Sequence, residues 1–120
     1  IISFWATWCK PCKKEQDNLS YLLPEWQKEY DVELIAISVD DSRTSRKVES
    51  FVNGRGWTFD VLLDVNNNTK RELEFAAIPY SIIVNKEGKI VYKHSGYKSG
   101  DEYEMQDKLK SLEASGDDAG

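Results

Sequence analysis

The chain has 120 residues, 40% hydrophobic and 31% charged, with only 7 Gly and 3 Pro. That is the composition of one ordinary globular domain, and it excludes disordered, collagenous and low-complexity classes. Sixteen Lys and Arg against twenty-one Asp and Glu give a net charge of −5, which repels a phosphate backbone, so no nucleic-acid partner is expected.

In chain order, Ile1 to Ala6 reads as a buried strand, and Thr7-Trp8-Cys9-Lys10-Pro11-Cys12 as a loop entering a helix. Pro11 suits the helix's first turn, where its missing N–H costs nothing. Leu19, Leu22, Leu23, Trp26 and Tyr30 then recur at helical spacing as a core-facing stripe, with a kink expected at Pro24. Val32 to Val39 is a second strand, and the polar stretch Asp40 to Arg46 leads into a helix using Val48, Phe51 and Val52, ended by Gly54 and Gly56. Thr58 to Leu63 is a third strand, so Val32 to Leu63 forms a crossover unit that implies parallel pairing.

A short helix is expected at Thr69 to Phe75, followed by strands Tyr80 to Val84 and Lys89 to Lys93. The turn Asn85-Lys86-Glu87-Gly88 joins these as an antiparallel hairpin, with Gly88 supplying the positive φ. Asp101 is a candidate cap for a last helix through Tyr103 to Leu112, with Glu104 three residues on. The domain is therefore placed at 1–113, and the acidic stretch Ala114 to Gly120 is expected to be a disordered tail. The longest apolar runs, Leu34 to Ile37 and Phe75 to Ile78, are four residues, against the ~18 that a membrane span needs. With no Met, basic leader or cleavage pattern at Ile1, the chain reads as part of a longer protein whose N-terminal portion is missing.

Two cysteines are too few for a disulfide scaffold, and at three positions apart they close a loop too short to staple a fold, so their role is chemical. Positions i and i+3 in a helix's first turn face the same way, which lets Cys9 and Cys12 join and separate reversibly. Cys9 falls at the helix N-terminus, where unpaired N–H groups and the helix dipole stabilise a thiolate, with Lys10, Lys13 and Lys14 nearby. It is expected to be the accessible, more acidic thiol. Cys12, one turn in and shielded, suits the resolving role.

The segment Phe4-Trp5-Ala6-Thr7-Trp8-Cys9-Lys10-Pro11-Cys12-Lys13-Lys14-Glu15 closely resembles the active-site segment of thioredoxin-like thiol–disulfide oxidoreductases of the TlpA/ResA branch. Val39-Asp40-Asp41-Ser42 is similar to that family's second-strand exit, and Ile78-Pro79 to its cis-proline loop. The resemblance implies a thioredoxin-like α/β fold: a five-stranded mixed sheet with helices on both faces, the first strand between the second and fourth, and the third at an edge. It implies a cis bond at Pro79 beside Cys9, with Trp8, Lys10, Pro11, Ile78 and Pro79 meeting an extended substrate. It also implies an acid–base role for Asp41, at the position where the family is expected to carry an acidic residue near the cysteines. Ser3 stands where cytosolic thioredoxins have a buried Asp, and Ala36 where they have a buried Lys. Asp17 and Tyr80 replace the Pro and Thr of many relatives.

The implied activity is reduction of protein disulfides through Cys9 and Cys12, with no metal and no organic cofactor. The potential is expected toward the thioredoxin end, about −270 mV, of the range known for such pairs. The implied setting is extracytoplasmic (periplasmic, or anchored to a membrane and facing outward), serving cell redox homeostasis and cytochrome c maturation. The partners would be protein dithiols or disulfides such as apocytochrome c, and an upstream membrane thiol–disulfide donor, with the protein itself a monomer. Two other readings stand beside it. A peroxidase on a related fold would carry a Pro-x-x-x-Thr-x-x-Cys pattern, which is absent. A non-catalytic partner or metal-delivery module would have little use for an intact C-x-x-C, and His94 is the single histidine available to a metal. Glu15 reads equally as an acid favouring the helix's first turn or as a proton-transfer group.

Overall fold

The computed structural model describes residues 1–115. Its elements are β1 (Ile2–Trp5), α1 (Lys10–Tyr30), β2 (Ile35–Ser38), α2 (Arg46–Arg55), β3 (Asp60–Leu63), α3 (Asn68–Leu73), β4 (Tyr80–Val84), β5 (Ile90–Ser95) and α4 (Asp101–Ser115). The strands form one sheet in the order β3-β2-β1-β4-β5, as expected, with β1 parallel to β2 and antiparallel to β4. β2 and β3 pair parallel, and β4 and β5 form the antiparallel hairpin, closed by Gly88 at φ 85°.

Alternation along β1 divides the core. Ser3 and Trp5 face α1 and α2: Trp5 packs on Phe51 and Trp57, with ring centroids 5.7 and 5.0 Å apart. α1 is tied to α4 by a hydrogen bond from Trp26 Nε1 to Gln106 Oε1 of 2.9 Å. Phe4 points the other way and meets Phe75, just beyond α3, at 4.7 Å. Tyr80 completes that cluster, stacked on Phe75 at 4.5 Å and buried, so the residue after Pro79 belongs to the core.

α1 runs through Pro24 without a break and stops at Asp31, in the left-handed region at φ 52°. β2 is shorter than its apolar run because Val32 to Leu34 lead in from that turn before pairing with β1 begins at Ile35. Gly56, at φ 68°, ends α2 and bonds back to the Val52 carbonyl, whereas Gly54, also expected to end it, lies inside the helix. α3 ends earlier than expected, at Glu74 in the left-handed region, which frees Phe75 to enter the core. Asp101 lies inside α4 and accepts the Lys98 N–H at 2.8 Å, so it fastens the incoming loop instead of capping the helix. Because α4 extends to Ser115, the expected tail loses Ala114 and Ser115 to a helix; the rest of it, 116–120, lies outside the described residues. No helix among the described residues is long and apolar enough to cross a membrane.

Candidate active site

β1 and β2 end side by side, and the chain leaves both at one end of the sheet, where the Val39 N–H bonds to the Trp5 carbonyl at 2.8 Å. In an open α/β sheet such a carboxyl end is where ligand sites gather. The loop leaving β1 is held by Asp40, whose carboxylate accepts the Thr7 N–H at 3.0 Å and the Thr7 hydroxyl at 2.6 Å. Burial acts to raise the Asp40 pKa, but hydrogen bonds from Ser38 and Thr7 outweigh it and leave the pKa below the usual value. Asp40 is thus a fully buried, ionised anchor for the turn that presents Trp8 and Cys9.

Cys9 is the N-cap of α1, with extended backbone and its carbonyl accepting the Lys13 N–H at 3.1 Å. It is disulfide-bonded to Cys12, with Cα atoms 5.3 Å apart. Expected to be open, Cys9 is only 7% exposed, while Cys12 is fully buried. The order of access therefore holds, but the opening is small. Opening the disulfide would leave Cys9 facing the free N–H groups of the first turn, where a thiolate is favoured.

One turn beyond Cys12 lies a group that the sequence left undecided. Glu15 is 3% exposed, and its Oε1 accepts hydrogen bonds from Ser3 Oγ at 3.3 Å and Ser81 Oγ at 3.4 Å. Gln16 Nε2 in turn donates to Ser3 Oγ at 2.6 Å. Burial pushes the Glu15 pKa up to about 7, helped by the nearby charges of Asp101 and Glu102 and opposed by the two serine hydroxyls. The buried acid missing from Ser3 is thus supplied from the helix, into space left by two small strand residues in register across β1 and β4. The signal was present in the i, i+3 spacing of Cys12 and Glu15; the inward direction of Glu15 was not.

Asp41 has different surroundings. Arg43 donates to its carboxylate through Nη2 at 2.8 Å and Nε at 3.1 Å, and these bonds hold its pKa below the usual range. Asp41 nonetheless lines a groove of about 390 Å³ with Trp8, Val39, Asn67, Lys70 and the Ala76–Ile78 loop. That groove brings the loop before Cys9 together with the loop before Pro79, and the Ile78–Pro79 bond is cis. Trp8 is 62% exposed on its rim. Lys10 and Pro11 are exposed at the start of α1 and do not line it.

Asp17 is explained by the fold, since it accepts Trp57 Nε1 at 2.9 Å and Arg55 Nη1 at 2.8 Å and so ties α1 to α2. Among the described residues, one group has metal-ligand spacing: His94, Asp101 and Glu104, with ligand atoms within 4.8 Å of one another. In these same side chains His94 Nε2 lies 3.7 Å from Asp101 Oδ2 and 3.9 Å from Glu104 Oε2.

Comparison with known proteins agrees with this geometry. The model of the AhpC/TSA family matches residues 1–93. The thiol-disulfide oxidoreductase ResA of Bacillus anthracis is 35% identical over 104 residues, which cover 87% of this chain and 58% of that protein. ResA of Bacillus subtilis is 32% identical over 93 residues, 76% of this chain and 49% of that protein. The chain therefore spans about half the length of these relatives. The solution structure of a thioredoxin-like protein from Porphyromonas gingivalis is 43% identical, with a TM-score of 0.81 over 92% of this chain and 72% of that one. StoA from Bacillus subtilis superposes with a TM-score of 0.72 at 26% identity, over 85% of this chain and 76% of that one.

Proposed function

Because the chain belongs to the AhpC/TSA family, we propose that its thioredoxin-like domain reduces protein disulfides by thiol–disulfide exchange at Cys9 and Cys12. The observation that carries this reading is the arrangement on α1: a disulfide between the N-cap and the first turn, with a buried carboxyl of pKa about 7 one turn deeper. In the dithiol form the Cys9 thiolate attacks one sulfur of a substrate disulfide; that S–S bond breaks, a mixed disulfide forms and the first substrate thiolate leaves. Cys12 then loses its proton to the Glu15 carboxylate and attacks the Cys9 sulfur, releasing the second substrate thiolate. Both leaving thiolates take up protons, one being the Cys12 proton passed on through Glu15 and the other coming from solvent, into which Cys9 released its own on ionising, so two electrons pass to the substrate while Cys9 and Cys12 become a disulfide.

The acid–base role belongs to Glu15 in this reading, because Arg43 keeps Asp41 ionised across the neutral range, whereas a pKa near the working pH lets Glu15 both accept and return a proton. Trp8, Ile78 and Pro79 position the extended substrate, and Lys10 and Pro11 border the cysteines. Each further cycle needs an external dithiol. The resemblance of the Cys9 segment to the TlpA/ResA branch supports a membrane thiol donor, an extracytoplasmic setting and exported or apocytochrome cysteines as substrates.

Insulin reduction by the dithiol form tests the reading, with loss of activity expected in Cys9→Ser and accumulation of mixed disulfides through Cys9 in Cys12→Ser. Consumption of peroxide without reduction of insulin would overturn it in favour of a peroxidase.

A further inference from the structure

Resting on that exchange reading, we propose that Lys70 makes the groove lined by Trp8 and the Ala76–Ile78 loop selective for polypeptides with an acidic side chain close to the cysteine being reduced. The groove carries two charged residues, Asp41 and Lys70. Asp41 is matched by Arg43, which reaches its carboxylate at 2.8 Å. Lys70 is half-buried and has no ion-pair partner among the described residues. Its backbone is fixed, since the Asp64 carboxylate accepts the N–H groups of Asn68, Thr69 and Lys70 at 3.0, 3.0 and 3.3 Å. With Asp41 matched by Arg43, Lys70 is the charge of the groove left without an ion-pair partner among the described residues, in a chain whose net charge is −5.

In the exchange reading a substrate disulfide at Cys9 carries its flanking residues past Trp8, the neighbour of Cys9 in the chain, which lines this groove with the Ala76–Ile78 loop and Lys70. A Glu or Asp there finds a cation without a competing partner; a Lys or Arg meets a like charge, so rejection adds to attraction. For an exposed ion pair of at most about 1 kcal/mol this amounts to roughly a two- to fivefold difference. The contact is made equally in the bound and reacting complexes, so the difference belongs in KM and leaves kcat unchanged.

The experiment uses the dithiol form of the protein and two acetylated, amidated peptides, each with one internal disulfide, identical except for Glu or Lys beside the cysteine. Blocked ends confine the carboxylate to the side chain. The expected result is a lower KM for the Glu peptide, weakened by salt, preserved in Lys70→Arg, lost in Lys70→Met and reversed in Lys70→Glu. An unchanged preference in Lys70→Glu would overturn the assignment. Reduction of insulin by the wild-type protein, which tests the exchange reading itself, separates the two levels. If it proceeds while the peptides show no charge preference, selectivity through Lys70 is wrong; if it fails, the exchange reading falls and this inference with it.

Discussion

At the scale of single residues, the informative contrast is between two carboxylates. Glu15 has its ordinary pKa of 4.5 raised to about 7 by burial. Between those values the unfolded chain has released the proton and the folded chain still holds it, so the stability of the disulfide form falls as pH rises from 4.5 to about 7 and levels above that. The total fall is on the order of 3 kcal/mol. Urea unfolding at pH 5 and pH 8 should show this slope in the wild type and lose it in Glu15→Gln. The same variant should slow insulin reduction at pH 7 by roughly a hundredfold or more. Asp41→Asn, which removes an exposed charge already matched by Arg43, should change that rate by less than about twofold. A large effect in Asp41→Asn with none in Glu15→Gln would return the acid–base role to Asp41. The sequence shows both acids but ranks them by resemblance alone; what separates them is the inward direction of Glu15, which depends on Ser81 arriving beside Ser3 across a sheet pairing distant in the chain.

At the scale of elements, periodicity and turn chemistry were legible: Gly56 and Gly88 fall where positive φ is required, and the strand order follows from the crossover and the hairpin. The boundaries that shifted did so where tertiary contacts compete with pattern. β3 begins at Asp60, two residues later than its apolar run, because Trp57 and Phe59 turn into the aromatic cluster with Trp5 and Phe51. The same cluster explains Asp17, which had no reading from sequence beyond its departure from relatives. Asp17→Ala should leave the buried Trp57 N–H without its acceptor and cost about 1–2 kcal/mol. Thermal unfolding of the disulfide form would report it, and a melting temperature equal to that of the wild type would show that the α1–α2 tie contributes nothing.

At the scale of the whole molecule, the sheet's carboxyl end gathers the redox pair, the Asp40 anchor and the groove with its cis-proline loop, while Glu15 lies behind them against Ser3 and Ser81. This convergence was legible because the fold was; the narrow opening at Cys9 was not, since it depends on how the surrounding loops close. In the dithiol form, limiting iodoacetamide at neutral pH should label Cys9 and spare the fully buried Cys12, as read by mass spectrometry. Preferential labelling of Cys12 would reverse their roles. The grouping of both thiols, the acid and the Asp17 tie on the first two turns of α1 also bears on how such a domain is inherited. One short run of codons, 9–17, carries the reactive set in fixed helical phase, while the Asp40 anchor, the hydroxyls of Ser3 and Ser81 and the cis peptide before Pro79 come from other parts of the chain. Exchange of that segment alone would therefore carry the chemistry only into frameworks that already supply those partners.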